Sequence, residues 1–312
     1  MLAILLDHTD IYMTGGNTIP YMAYVTDALI VFFVISGYLC YREEGIGVRH
    51  KLRSIVRTLL MPYFVFTSVI ALVKPWIHHE PFDLLRIAAT VGTGQASWFI
   101  AALIVAEVIF VLSLRLTRAN LWPMAAVACT GLGVSAVLSH TDYSDFWQVG
   151  NALQAVFLLY LGYLCHRFEP RMQRYLTPLT VALMALVLVG VKWYAWRHGY
   201  DMLISPIHIS SYPCFLAVAL LSPLVLMRLS QWLPRLKWLE WTGRTSIVYY
   251  FLSGACPTLV SMLFARIPLS HHGSYLLVLT AFALVYLLAS VLTWAIYRYI
   301  PAVTGRPGNA VK

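Results

Sequence analysis

Residues 97–115 read SWFIAALIVAEVIFVLSLR. From Trp98 to Leu114 the only ionisable side chain is Glu107, and the run is close to the roughly 20 apolar residues a helix needs to cross a hydrocarbon core. Eight more stretches share that length and character: 19–41, 55–77, 121–139, 148–166, 177–196, 208–228, 245–265 and 274–298. Unpaired backbone amides cannot sit in lipid, so each stretch is expected to be helical. The internal Pro62, Pro213, Pro223 and Pro257 should bend these helices rather than end them. The expected fold class is an all-α polytopic membrane protein, a bundle of about ten transmembrane helices. The tenth is the apolar run 1–8, MLAILLDH. It lacks the charged leader and small-residue cleavage site of a signal peptide, and it reads as the second half of a transmembrane helix truncated at Met1. No connection is long enough for a soluble domain, so residues 1–312 are expected to form a single transmembrane domain.

Composition agrees. Of the 312 residues 60% are hydrophobic and 11% charged, against roughly 45–50% and about 25% in a soluble domain. The mean hydropathy is +0.73. A soluble globule could neither hide that much apolar surface nor cover itself with so few charges. Lys and Arg total 22 against 13 acids, a formal charge of +9. Seventeen of the 22 fall in alternate connections, those after 19–41, 97–115, 148–166 and 208–228, together with the C-terminal tail. The intervening connections hold only Lys74, Arg86, Lys192, Arg197 and Arg266. By the positive-inside rule the basic side, with the C-terminus, is expected to be cytoplasmic. The excess charge is thereby spent on topology, and nucleic acid is not an expected partner. Cys40, Cys129, Cys165, Cys214 and Cys256 all lie in apolar runs and read as small buried hydrophobes.

Ionisable groups inside membrane spans are functional candidates by default. His8 reads either as an interfacial histidine or as a working group. Asp27, near the start of the 19–41 span, reads as interfacial or as the partner of a base. Glu107 lies near mid-bilayer and suits a proton relay or a structural carboxyl paired within the bundle. Arg53 and Arg57 stand four apart where the 55–77 span begins, so they share a helical face. Paired guanidinium groups suit a phosphate-bearing ligand, and positive-inside anchoring is the plain alternative. Ser36-Gly37 marks a place where backbones approach closely or a polar group points inward, and Gly243 with Ser246 marks another. His78, His79, His271 and His272 lack a third ligand, and no metal site is expected.

Taken in order, these fragments resemble acyltransferase family 3, integral membrane proteins that move acyl groups from coenzyme A to sugar hydroxyls. His8-Thr9 is similar to that family's histidine near the end of its first helix. Phe32, Phe33, Ser36 and Gly37 match its Phe-Phe-x-x-Ser-Gly signature. Arg53, Arg57, Pro62 and Tyr63 resemble its basic stretch followed by Pro and an aromatic. Trp98-Phe99 with Leu103, then Gly162, and then Gly243, Ser246 and Tyr250 continue the order. Ser253 stands where the family commonly has a histidine, and no role is carried onto it.

The resemblance implies a ten-helix fold and an O-acyltransferase of the bacterial inner membrane, with acetyl-CoA or another acyl-CoA as donor. It implies a glycan or lipid-linked sugar as acceptor, with polysaccharide-assembly proteins as further partners beside the lipid bilayer. His8 is then expected to be the catalytic base, oriented by Asp10 or Asp27, with Glu107 as a relay. Arg53 and Arg57 are expected to bind the donor, whose thioester arm passes Ser36-Gly37. A rival reading, a multi-pass transporter or flippase for a glycan or lipid-linked substrate, draws on the mid-membrane Glu107 and the helix prolines.

Overall fold

The computed structural model describes residues 1–43, 45, 47–78, 81–141, 143, 145–266 and 275–305. His79, His271, His272, Arg306 and Lys312 lie outside the described residues. The helices are α1 (Leu2–Thr14), α2 (Tyr21–Cys40), α3 (Val48–Ile55), α4 (Met61–His78), α5 (Leu84–Gly92), α6 (Trp98–Leu116) and α7 (Leu121–Leu138). They continue with α8 (Val149–Arg167), α9 (Glu169–Tyr175), α10 (Pro178–Arg197), α11 (Tyr212–Trp232), α12 (Lys237–Arg244), α13 (Ser246–Phe264) and α14 (Tyr275–Tyr299). Among the described residues the only strands are Met202–Leu203 and His208–Ile209, a two-stranded antiparallel hairpin before α11. Among the described residues nine helical segments are long and apolar enough to cross a membrane. Each corresponds to one of the nine stretches read from sequence, and the protein is an all-α polytopic membrane protein. On α10, Leu179, Leu183, Leu186, Val187 and Val189 are all exposed. Such a continuous apolar face is stable only against lipid or a partner.

The boundaries differ where hydropathy stops being informative. One membrane-length helix runs Val48–Ile77, beginning seven residues before the expected 55, because a basic first turn is helical without being apolar. A π-helical turn, Val56–Leu60, joins α3 to α4, with the Met61 amide donating to the Val56 carbonyl. Pro62 has no N–H for the carbonyl four residues back and would crowd it, and the widened turn accommodates both. Pro75, Pro223 and Pro257 lie inside their helices. Pro213 sits in the first turn of α11, where its missing N–H is no loss. α1 continues to Thr14, well past the apolar run that ends at residue 8.

The chain divides into two compact units, Met1–Ala28 with Pro234–Lys312, and Leu29–Leu233. In the first, α1 packs against α13 and α14 around Leu5, Met13, Tyr249, Cys256, Val260 and Val285. Tyr249 and Ser290 hydroxyls bond at 2.7 Å, and Thr242 and Tyr286 do so at 2.7 Å, so these four hydroxyls are satisfied inside the core. In the second unit α8 packs on α7 and α6 and lies backbone to backbone with α2. A Cβ on Gly37 would sit 1.9 Å from the Leu159 carbonyl oxygen, and one on Gly162 would sit 1.8 Å from that of Val34. Small residues permit this closeness, which gives membrane helices their contact energy. Phe99 at the start of α6 packs on Phe32 and Phe33, with ring centroids 5.7 and 4.9 Å away. Tyr63, fully buried, donates to the Val91 carbonyl at 2.9 Å. Phe32, Phe33, Gly37, Tyr63, Phe99 and Gly162, singled out in the sequence, are therefore packing residues.

Candidate functional site

A cavity of about 1240 Å³ opens in the second unit at the basic ends of α2, α3, α6 and α8. It exceeds the usual range of small-molecule sites, about 300–1,000 Å³. Arg42, Arg49, Arg53, Arg115, Arg118 and Arg167 line it with His50, and Glu43 is the one carboxylate among the described lining residues. Six guanidinium groups that face so little negative charge make a concave anion site. Arg42 and Arg49 come from the α2–α3 connection and α3, Arg115 from the last turn of α6, and Arg167 from the last turn of α8. Cations are favoured at those helix C-termini, so the fold gathers there residues that topology alone would have scattered.

The turn between α6 and α7 carries strain. Arg118 and Ala119 have φ of 53° and 56°, a left-handed conformation that costs non-glycine residues on the order of 1–2 kcal/mol each. It is held by Ala119 N–H donating to the Leu114 carbonyl at 2.8 Å, and by the Arg167 guanidinium donating to the Ala119 carbonyl at 3.2 Å. Arg167 also bonds the Tyr163 side chain, and Tyr163 meets Tyr41 edge to face at 5.3 Å. Both tyrosines line the cavity.

Away from the cavity lining, Glu107 is buried and bonded on both oxygens. Lys51 Nζ lies 3.0 Å from Oε2, and the Ser36 hydroxyl donates to Oε1. Lys51 also reaches the Cys40 thiol. Of the two roles open to Glu107, the geometry is that of the paired structural carboxyl, tying α6 to α3 and α2. A lone mid-span acid requires a cation, and that requirement was the available signal for Lys51.

The sequence-selected donor residues separate. Arg53 lines the cavity, whereas Arg57, one helical turn further on and also exposed, does not. Ser36 bonds Glu107. Gly37 corrects the expectation that its smallness leaves room for a substrate arm, because the α8 backbone occupies that space. Arg42, Arg49, Arg115, Arg118 and Arg167 entered the sequence reading only as topology signals. Gly243, expected at an interface, has nothing within 4 Å of a built Cβ.

In the first unit His8 sits mid-helix in α1, partly buried, with no hydrogen bond among the described residues. Its neighbours are committed. Asn17 donates to Asp7 at 2.6 Å, and Asp10 accepts from the amides of Thr18 and Ile19 at 2.6 and 3.0 Å. The Asp10 carboxylate therefore holds the turn into α2, which is also why α1 continues beyond its apolar run. Asp27 is partly buried in the second turn of α2. In the second unit α8 buries Gln154, 1% exposed, and neither amide atom has a partner among the described residues.

Membrane-length helices joined to a basic cavity define a class, polytopic membrane proteins able to take an anionic ligand. The Acyltransferase domain family, acyltransferase family 3, matches residues 1–298. The chain belongs to that family and is a membrane acyltransferase. No curated protein and no solved structure matches it.

Proposed function

We propose that the protein transfers an acyl group, acetyl by preference, from cytoplasmic acyl-CoA to a hydroxyl of a cell-surface or exported glycan. The observation that carries this reading is the arginine-lined cavity. Its volume and charge suit a ligand of nucleotide size bearing several phosphates, and it lies at the Lys- and Arg-rich helix ends expected to face the cytoplasm of a bacterial inner membrane. Arg53 contacts the donor phosphates. His8, which has no hydrogen-bond partner among the described residues, takes the acceptor hydroxyl proton as that oxygen attacks the thioester carbonyl; the C–S bond breaks and the coenzyme A thiolate leaves and is protonated. The transporter reading loses its main support, since Glu107 is already paired with Lys51. The test compares O-acyl content of the producing cell's glycans with and without the protein, and with acetyl-CoA labelled in the acetyl group. Label in a glycan ester that vanishes with the gene is expected; unchanged ester content would overturn the reading.

A further inference from the structure

Resting on that donor reading, we propose that the α6–α7 turn is the reader of the donor's 3′-phosphate, through Arg115 and Arg118, with Arg167 as a positioning residue. The protein thereby selects free acyl-CoA over thioesters that lack that phosphate, including phosphopantetheine thioesters carried on a protein.

The cavity has two basic walls. One is built by Arg42, Arg49 and Arg53, the other by Arg115, Arg118 and Arg167. Tyr41 precedes Arg42 on the first wall, and Tyr163 lies one helical turn before Arg167 on the second. Their edge-to-face contact at 5.3 Å marks where the walls meet. Coenzyme A has two separate phosphate groups, the diphosphate that leads to the pantetheine arm and the 3′-phosphomonoester on the ribose, with adenine beside them. The diphosphate belongs on the α3 wall, because Arg53 stands there on the membrane-length helix Val48–Ile77 that enters the bundle, the direction a thioester arm must take. Tyr41, the half-buried ring of that junction, offers the adenine a surface to stack on. That leaves the 3′-phosphate for the α6–α7 turn, the one place among the described lining residues where two consecutive non-glycine residues are held left-handed. An unfavourable backbone kept by dedicated hydrogen bonds, including that from Arg167 to the Ala119 carbonyl, points to a requirement on where Arg118 is held.

The full chain in zwitterionic nanodiscs is titrated calorimetrically with coenzyme A and with 3′-dephospho-coenzyme A. The wild type is expected to bind coenzyme A about tenfold tighter or more, a charge-assisted contact's worth. Arg118→Gln and Arg115→Gln should lower coenzyme A affinity toward the dephospho level and leave 3′-dephospho-coenzyme A unchanged, whereas Arg53→Gln should weaken both ligands alike. In turnover assays Arg167→Gln should raise KM for acetyl-CoA alone with kcat retained, and Arg167→Lys, which keeps a donor, should restore it. All four positions are exposed, so the variants should fold, and an unchanged Tm checks this. Equal wild-type affinity for the two ligands overturns the proposal and leaves the donor cavity standing. Binding of neither ligand overturns the donor reading as well. Loss of the coenzyme A preference when phosphatidylglycerol is added would assign the turn to a lipid phosphate and overturn the proposal.

Discussion

The surroundings of His8 and the arginine-lined cavity treat charge in opposite ways. On α1 every acid has its donors, Asp7 from Asn17 and Asp10 from two backbone amides, and the imidazole between them has no partner among the described residues. In the cavity the cations are gathered, against one carboxylate among the described lining residues. Matched charges build corners and tie helices, as Glu107 does with Lys51 and Ser36. Unmatched ones are left for a ligand. This contrast predicts which substitutions harm the fold and which harm only the chemistry.

The largest expected effect is on rate. His8→Ala should lower acyl transfer by about 10²–10⁴-fold, the contribution of a positioned base, with membrane insertion and Tm unchanged; retained turnover would remove His8 from the mechanism. Next come the matched sites, where stability should fall and donor affinity should follow only through misfolding. Gly162→Ala would drive a Cβ to 1.8 Å from the Val34 carbonyl oxygen and should cost about 3 kcal/mol, read as a lower Tm in detergent. Glu107→Leu, which leaves Lys51 partly buried without its partner, should cost about 3 kcal/mol, and adding Lys51→Met should recover much of it. A single variant no less stable than wild type would break the comparison.

Smaller effects sharpen it. Arg53→Ala should weaken coenzyme A binding about tenfold, while Arg57→Ala should change it less than twofold, since only Arg53 lines the cavity. Gln154→Leu removes a buried amide without partners among the described residues and should stabilise the protein by about 1 kcal/mol. If acyl transfer falls at the same time, the amide is one of the unmatched groups kept for a ligand.

The helices were legible because lipid imposes one length and one polarity on every span, so the nine stretches reappear with ends moved by a few residues. α5, α9 and α12 were not legible, being too short for a hydropathy window. At the site, Arg53 could be read from its place before an aromatic-proline start. Arg115, Arg118 and Arg167 could not, because each sits in a separate basic connection with an adequate topological explanation. Only the packing of α8 on α6 and α7 assembles them. Gly37 was recognised as a close-approach position, but sequence does not name what approaches, and it proved to be α8 rather than a substrate.

The reciprocal seating of Gly37 on Leu159 and Gly162 on Val34 also has a mechanical meaning. Each helix carries a carbonyl where the other would carry a side chain, so a slide of one residue in either direction would jam a side chain into backbone. α2 and α8 are locked in axial register and travel as one strut. Tyr41 follows the end of one and Tyr163 with Arg167 rides on the other, so the aromatic junction of the cavity is a fixed jaw. The other walls are tethered to that jaw, α3 through Lys51 and Glu107 to Ser36, and the turn that carries Arg118 through the Arg167 guanidinium.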